Sequence, residues 1–319
     1  MGLPTASDVH VDAVLTNISV AYQQNEPSVA DQVFPMVKVN KQSDKYFIYD
    51  MADWNRSNMQ LRQPGTESAG AGWRVSTDTY FCDIYALHKD IDDAQRSNAD
   101  IPLDLDRDAV AFLQNQNKIK RDIEWASAFF TTSVWTGSTT AGDITPGTLW
   151  SAANSTPVAN VRAQRRSVRL KTGSYPNVMV MGSEVWDALC DNSDIRDRIK
   201  YVQRDIITED LVAALFQVKK IIVADLMQVT SAEGASTTTT AAVFGKHALL
   251  LHVPDRPGLN TPAAGYTFEW NGQAGSIGGQ RILSFRMPAL KSDRIEIETC
   301  FDHKQVGANL GVFFASCVS

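Results

Sequence analysis

Long apolar runs, paired cysteines and basic tracts are all missing from this chain, and each absence removes a class of protein. No apolar run approaches the ~20 residues that a membrane span needs. The four cysteines, Cys82, Cys190, Cys300 and Cys317, lie far apart in sequence. That spacing suits free thiols in a reducing cytosol better than a secreted disulfide framework. Residues 1–15 carry Asp8 and Asp12 and lack the basic start and apolar stretch of a signal peptide. Ala6 stands where N-myristoylation needs Ser or Thr. Lys and Arg number 30 against 36 Asp and Glu, a formal net charge of −6. A sequence-specific nucleic-acid reader usually shows a basic face or tail. The densest basic cluster, Arg162 to Arg166, falls in a helical pattern and reads as a solvated helix face.

Catalytic and ligand-binding patterns are scarce as well. Asp104, Asp106 and Asp108 have the spacing of a calcium loop, but Ala109 and Asn115 occupy the positions that need Gly and Glu. Helix capping explains the triplet better. Ser276, between Gly275 and Gly278, loosely matches a nucleophile elbow, yet an alternating strand pattern follows it where the elbow needs a helix. Gly272, Gly275, Gly278 and Gly279 fail as a dinucleotide fingerprint for the same reason. Gly245 and Lys246 lack the rest of a phosphate loop. Cys300 and His303 are spaced like two zinc ligands, but a structural site needs four and no second pair exists. The seven tryptophans are scattered, without basic neighbours that would make a base-stacking platform.

What the chain does contain is an ordered series of unlike segments. Hydrophobic residues make up 44% and charged residues 21%, enough to bury a core without staples. Residues 1–45 are polar, with short apolar runs. Pro35 keeps Val33 to Val39 extended, so this stretch needs another surface to lie on. Residues 46–90 read as a long hairpin: Tyr46 to Tyr49 is β-prone, Pro64-Gly65 marks a turn, and Trp73 to Leu87 alternates with period two. An isolated hairpin is marginal in water, so this one must rest on a neighbouring surface. A helix of about 25 residues follows, opened by Pro102 and Asp104. Its expected face is Leu105, Ala109, Phe112, Gln116, Ile119, Ile123, Ala126 and Phe130. From about residue 156, helical and strand patterns alternate: a helix from Val158, a buried strand from Asn177, a helix capped by Ser183, a helix capped by Thr208, a strand from Lys220, and one or two strands between Thr237 and Val253. From about 265 the pattern is all strand, ending in an apolar strand from Val312 to Ala315.

Four segments, in this order, carry a family resemblance: Pro27 to Val39 followed by Gln42 to Tyr46; Leu215 to Val223; Val243 to Leu251; and Gly265 to Trp270. With an arm, a hairpin, a long helix, an α/β unit and a strand tail in sequence, the chain resembles the tailed-bacteriophage major capsid proteins over nearly its whole length. The resemblance implies an α+β capsid fold: an N-terminal arm at 1–45, an extended loop at 46–90, a peripheral domain with a long spine helix at 91–155 and 265–319, and an α/β axial domain at 156–264. It also implies self-assembly into hexamers and pentamers, an icosahedral head built in the host cytoplasm around double-stranded DNA, and a portal protein. The DNA is expected to be contained by the wall rather than specifically bound. Some members carry a fused scaffolding segment before the arm. The start of this chain, almost directly at the arm, implies a separate scaffolding protein or none, and a decoration protein is a further candidate partner. No catalytic, cofactor or metal residue is expected. Subunit contacts are expected from Phe34 and Val37 in the arm, which should pack on a neighbour or the spine rather than in the subunit's own core. The loop should contribute Trp54, Arg56, Arg62, Glu67, Trp73 and Arg74. Some members join a loop lysine to a neighbour's asparagine, but this chain has no lysine between Tyr46 and His88. Two other readings remain open: an encapsulin-like nanocompartment, against which the polar arm argues, and a soluble hydrolase using Ser276.

Overall fold

The computed structural model describes residues 27–49, 51–98, 104–140, 142–199, 207–258, 261–272 and 279–319. Most of the expected arm, Pro102, and Gly275, Ser276 and Gly278 lie outside the described residues. The described residues begin with a short helix, α1 (Val29–Val33), and strand β1 (Met36–Val39). Strands β2 (Ser43–Tyr49) and β3 (Val75–Phe81) then form an antiparallel pair that brackets a short helix, α2 (Met51–Trp54). Strand β4 (Asp83–Asp92) and helix α3 (Asp93–Asn98) precede the 25-residue spine helix α4 (Leu105–Phe129).

The single alternating run expected from Trp73 to Leu87 breaks at Cys82. Its side chain is wholly buried and its N–H donates to the Gln42 carbonyl across the base of the hairpin. Beyond that point β4 leaves the hairpin and pairs with β12 from Ser292 to Phe301. The extended loop therefore closes near residue 81, not 90.

Asp104 caps the spine helix by accepting a hydrogen bond from the Arg107 N–H, so the acidic triplet is a helix start. The buried face comprises Ala109, Leu113, Arg121, Asp122, Trp125, Ala126 and Phe129. Of the expected stripe, Ala109, Ala126 and the capping Phe130 are buried, whereas Phe112 is 47% exposed. The face is rotated towards Leu113 and Trp125 because the helix serves two surfaces. Its first half packs Ala109 and Leu113 on Ile91, Ile295 and Ile297 of the peripheral sheet. Its second half drives Trp125 and Phe129 into the main core.

The peripheral sheet runs β1-β10-β12-β11, with β4 also on β12. These are β10 (Gly265–Trp270), β11 (Gln280–Met287) and β12 (Ser292–Gln305). The 14-residue β12 organises it. Residues 292–299 lie between β4 and β11, and residues 301–305 pair with β10.

The second sheet runs β13-β9-β5-β6. It joins β5 (Val178–Gly182), β6 (Lys220–Ala224), β9 (Ala248–Leu251) and β13 (Gly311–Phe314). Period two divides its side chains between two cores. Val180, Leu249, Leu251 and Phe313 face Trp125 and Phe130. Met179, Met181, Leu250, Val312 and Phe314 face helices α5 (Pro157–Thr172), α6 (Ser183–Asp191), α7 (Ser193–Ile199) and α8 (Glu209–Phe216). Gly182 ends β5 where a Cβ would stand 1.8 Å from the Gly245 carbonyl oxygen. The cap residue of α6 is Gly182 rather than Ser183, and Thr208 precedes α8 without a side-chain cap bond. Because β13 pairs with β9, the last strand belongs to the axial sheet and not to the returning peripheral tail. A small hairpin, β7 (Met227–Val229) with β8 (Thr240–Ala242), stands beside this unit.

Candidate assembly surfaces

The arm from residue 27 onward is bolted to the spine. Ser28 caps α1, and its hydroxyl also donates to Asp122 Oδ1 at 2.6 Å. The Ala30 N–H donates to the same oxygen at 2.9 Å. Next to it, Arg121 Nη2 lies 2.7 Å from Asp31 and 2.9 Å from Glu269 on β10. Burial raises the pKa of Asp31, Asp122 and Glu269; Arg121 opposes this at Asp31 and Glu269, and hydrogen bonds to the arm oppose it at Asp122. Arg121 therefore ties the arm, the spine and the peripheral sheet together in one ionic node. Removing a partner from such a buried node leaves an uncompensated charge.

The two arm residues expected at subunit contacts behave differently from that expectation. Phe34 is fully buried in the subunit's own core, edge-on to Trp125 at 5.5 Å and tilted against Phe129 at 5.1 Å. A Cβ on Gly265 would stand 2.4 Å from its ring, so glycine there makes the room. The expectation is corrected: Phe34 does lie on the spine, but as core and not as a contact left for a partner. The reason is that α1 supplies Val29, Ala30 and Val33 to the same cluster, a face that the polar composition around it hides. Val37 is half-buried beside the cluster of Tyr80, Cys82, Phe268 and Cys300. The ionic node was missed in sequence; its only signal was a charged pair, Arg121-Asp122, inside an otherwise apolar helical pattern.

The loop is anchored at its base and bare beyond it. Tyr80 stacks on Phe268 at 4.6 Å, and Tyr46 packs on the same ring at 5.5 Å. The Phe81 N–H donates to Asp302 at 2.9 Å. Outward from there, Phe47, Trp54, Met59, Leu61 and Trp73 are exposed, with Met59 and Leu61 at 96% and 93%. The fold brings three of the expected residues together. Trp54 and Trp73 lie 6.3 Å apart, with Tyr49 edge-on to Trp54 at 5.9 Å. Arg74 donates from both N–H and Nε to Asp53 at 3.0 Å, and these bonds hold the Asp53 carboxyl below the usual range. Arg56 adds its charge to the same carboxylate. Arg62 instead bonds the Thr66 carbonyl near the turn, and Glu67 is exposed on the outer segment. Exposed apolar residues grouped on one segment in this way mark a candidate interaction site.

Burial pushes the Cys82 thiol up to about 12 and raises Cys300 and Cys317 too, so all three stay neutral. Cys300 and His303 share β12, where residues three apart point to opposite faces. Gly279 leads into strand β11, not into a helix.

The architecture just described is shared with proteins that build shells. A family model described as phage major capsid protein E matches residues 137–251. The major capsid protein of Burkholderia phage BcepMu is 22% identical over 272 residues, which cover 82% of this chain and 84% of that protein. The solved structure of a phage-related protein from Bordetella bronchiseptica RB50 superposes with a TM-score of 0.69 at 17% identity, covering 91% of each chain. The capsid of cyanophage P-SCSP1u superposes with a TM-score of 0.62 at 11% identity, covering 98% of this chain and 94% of that one. The SrpI encapsulin of Synechococcus elongatus PCC 7942 shares the fold at a TM-score of 0.55 and 12% identity, over 97% and 96%. In sequence the chain is similar to phage major capsid proteins, and its fold is that of the tailed-phage capsid proteins.

Proposed function

We propose that this subunit forms hexamers and pentamers that close into an icosahedral head enclosing double-stranded DNA, and that it performs no catalysis. The observation that carries the reading is the bare extended loop. A segment with Phe47, Trp54, Met59, Leu61 and Trp73 facing water has no reason to persist in a protein that works alone. Covered by the next subunit, the same residues become the desolvated anchors of an interface. The loop residues Trp54, Arg56, Arg62, Glu67, Trp73 and Arg74 are the proposed contacts, whereas Phe34 holds the arm in place. A portal protein at one vertex, a scaffolding protein and a decoration protein are the candidate partners of this reading, with assembly in the host cytoplasm.

Negative-stain microscopy of the purified protein tests it. Uniform closed shells, or rings of five and six subunits, are the expected result. A protein that stays monomeric by light scattering across salt and pH overturns it. The contents of native particles decide between the two kinds of shell: nucleic acid supports a phage head, and a protein cargo supports the nanocompartment reading.

A further inference from the structure

Helix α5 is electrostatically one-sided in a way that the assembly reading does not use. Its 16 residues include Arg162, Arg165, Arg166, Arg169 and Lys171 and no acid. That imbalance sits in a chain of net charge −6. The helix buries Val158, Val161, Gln164, Ser167 and Val168 against the axial core. Gln164 is held there by Thr139, and the Ser167 hydroxyl donates to the Gly137 carbonyl. With that face fixed inward, Arg162, Arg166 and Arg169 are exposed. Their spacing of four and three makes one stripe, about 10 Å long at ~1.5 Å per residue.

None of the ion pairs among the described residues uses a cation of this helix, although most other basic segments are paired. Arg165 and Arg169 instead flank the ring of Tyr175, at 4.3 and 5.3 Å, and that ring is itself 49% exposed. Arg165 also reaches Gln217, and Arg162 the Leu215 carbonyl, so part of the array is held in position. The stripe is thus a braced row of uncompensated guanidinium groups.

We propose that the exposed face of α5, formed by Arg162, Arg166 and Arg169 with Tyr175 beside them, is a sequence-independent contact for the phosphate backbone of nucleic acid. The inference rests on the assembly reading for the identity of the polyanion. Guanidinium groups suit phosphate because their paired N–H groups match its oxygens. An interface with another copy of the chain would have to desolvate three like charges together, which is costly unless each meets an acid. Nucleic-acid interfaces are the strongly cationic kind. Three phosphate contacts per subunit give weak binding alone, and the array of subunits in a shell multiplies them. Such contacts read no sequence, so a contained genome stays free to settle.

The test uses the full-length chain and a mixed-sequence 30-base-pair duplex, with affinity measured by fluorescence anisotropy from low to moderate salt. A slope of log K against log salt near −3 is expected, at about −0.9 per neutralised phosphate. The variant Arg162→Gln/Arg166→Gln/Arg169→Gln should lose most of that slope and bind roughly tenfold or more weakly at low salt. The corresponding triple Arg→Lys variant should keep the slope, which separates loss of charge from loss of fold. Lys41→Gln/Lys219→Gln/Lys246→Gln removes the same charge from ion-paired positions and should leave the slope unchanged. No salt-dependent binding by the unaltered protein, or an unchanged slope in the Arg→Gln variant, overturns the proposal. If the Arg→Gln variant binds duplex normally but cannot form shells, the face is a contact between copies and the proposal fails. Absence of shells from the unaltered protein strikes the assembly reading alone, since the slope is measured independently.

Discussion

Arg121 shows how much one residue can decide. It stands in the middle of the spine helix, 6% exposed, with Asp31 of the arm and Glu269 of the peripheral sheet on its guanidinium. Close to it on β12, His303 is bonded through Nδ1 to the hydroxyl of Thr267, its partner across the sheet, at 2.8 Å. Burial, reinforced by the Arg121 charge, pushes that imidazole down to about 3. An unfolded chain titrates its histidines near 6.5. Between those values the unfolded chain binds a proton that the folded one refuses, so this group's contribution is full above about 6.5 and is lost as pH falls towards 3. From pH 7 to 5 the loss is about 2 kcal/mol. The raised carboxylates of Asp31, Asp122 and Glu269 act in the opposite direction, because the folded state takes up their protons more readily. The difference between proteins isolates the histidine: in urea unfolding at both pH values, His303→Gln should lose about 2 kcal/mol less than the unaltered protein. Equal losses would remove His303 from the account. Phe34 gives a second residue-scale outcome. As buried core between Trp125 and Phe129, its replacement by Ala should cost about 3–5 kcal/mol of subunit stability by denaturant unfolding. A near-neutral change would return it to the class of partner contacts.

At the scale of elements, the chain was most legible where one periodicity persists. The spine helix, its Asp104 start and the alternation of β10, β11 and β12 follow from local pattern alone. Two features did not follow. The break at Cys82 is set by a partner 40 residues earlier, the Gln42 carbonyl, and no local pattern carries that information. The placement of β13 is set by its register on β9, so an apolar strand at the end of a peripheral tail was assigned to the wrong sheet. The loop candidates were found because aromatic residues in a polar segment have no local reason to be there. Tertiary structure adds that Trp54 and Trp73 meet, with Asp53 clamped to Arg74 beside them. Exposed rings of this kind contribute little to the isolated subunit and much to an interface. Trp54→Ala/Trp73→Ala should therefore change subunit stability by less than about 1 kcal/mol while strongly reducing shell yield in sedimentation. A double variant that assembles normally would exclude the pair as a contact.

For the whole particle, the question is what keeps neighbouring subunits joined. A covalent lock from the loop needs an amine that can reach another subunit's amide in a water-poor site, with a carboxylate to take the proton. No lysine lies between Tyr46 and His88. Lys45 sits on β2 opposite Thr79, in the anchored stem of the loop, and Lys89 sits on β4 opposite Ile295, within the peripheral sheet. The cations that the outer loop does carry, Arg56, Arg62 and Arg74, stay protonated and are poor nucleophiles. Arg74 is in addition committed to Asp53 through two hydrogen bonds. What remains for cohesion is apolar area from Met59, Leu61 and the tryptophan pair, together with charge-assisted hydrogen bonds from the arginines. Those interactions are all reversible in detergent. Mature particles boiled in detergent with reducing agent should therefore run as a single band near 35 kDa. A ladder of oligomers surviving that treatment would mean that an amine outside the loop makes the lock, and the non-covalent account of the shell would fall.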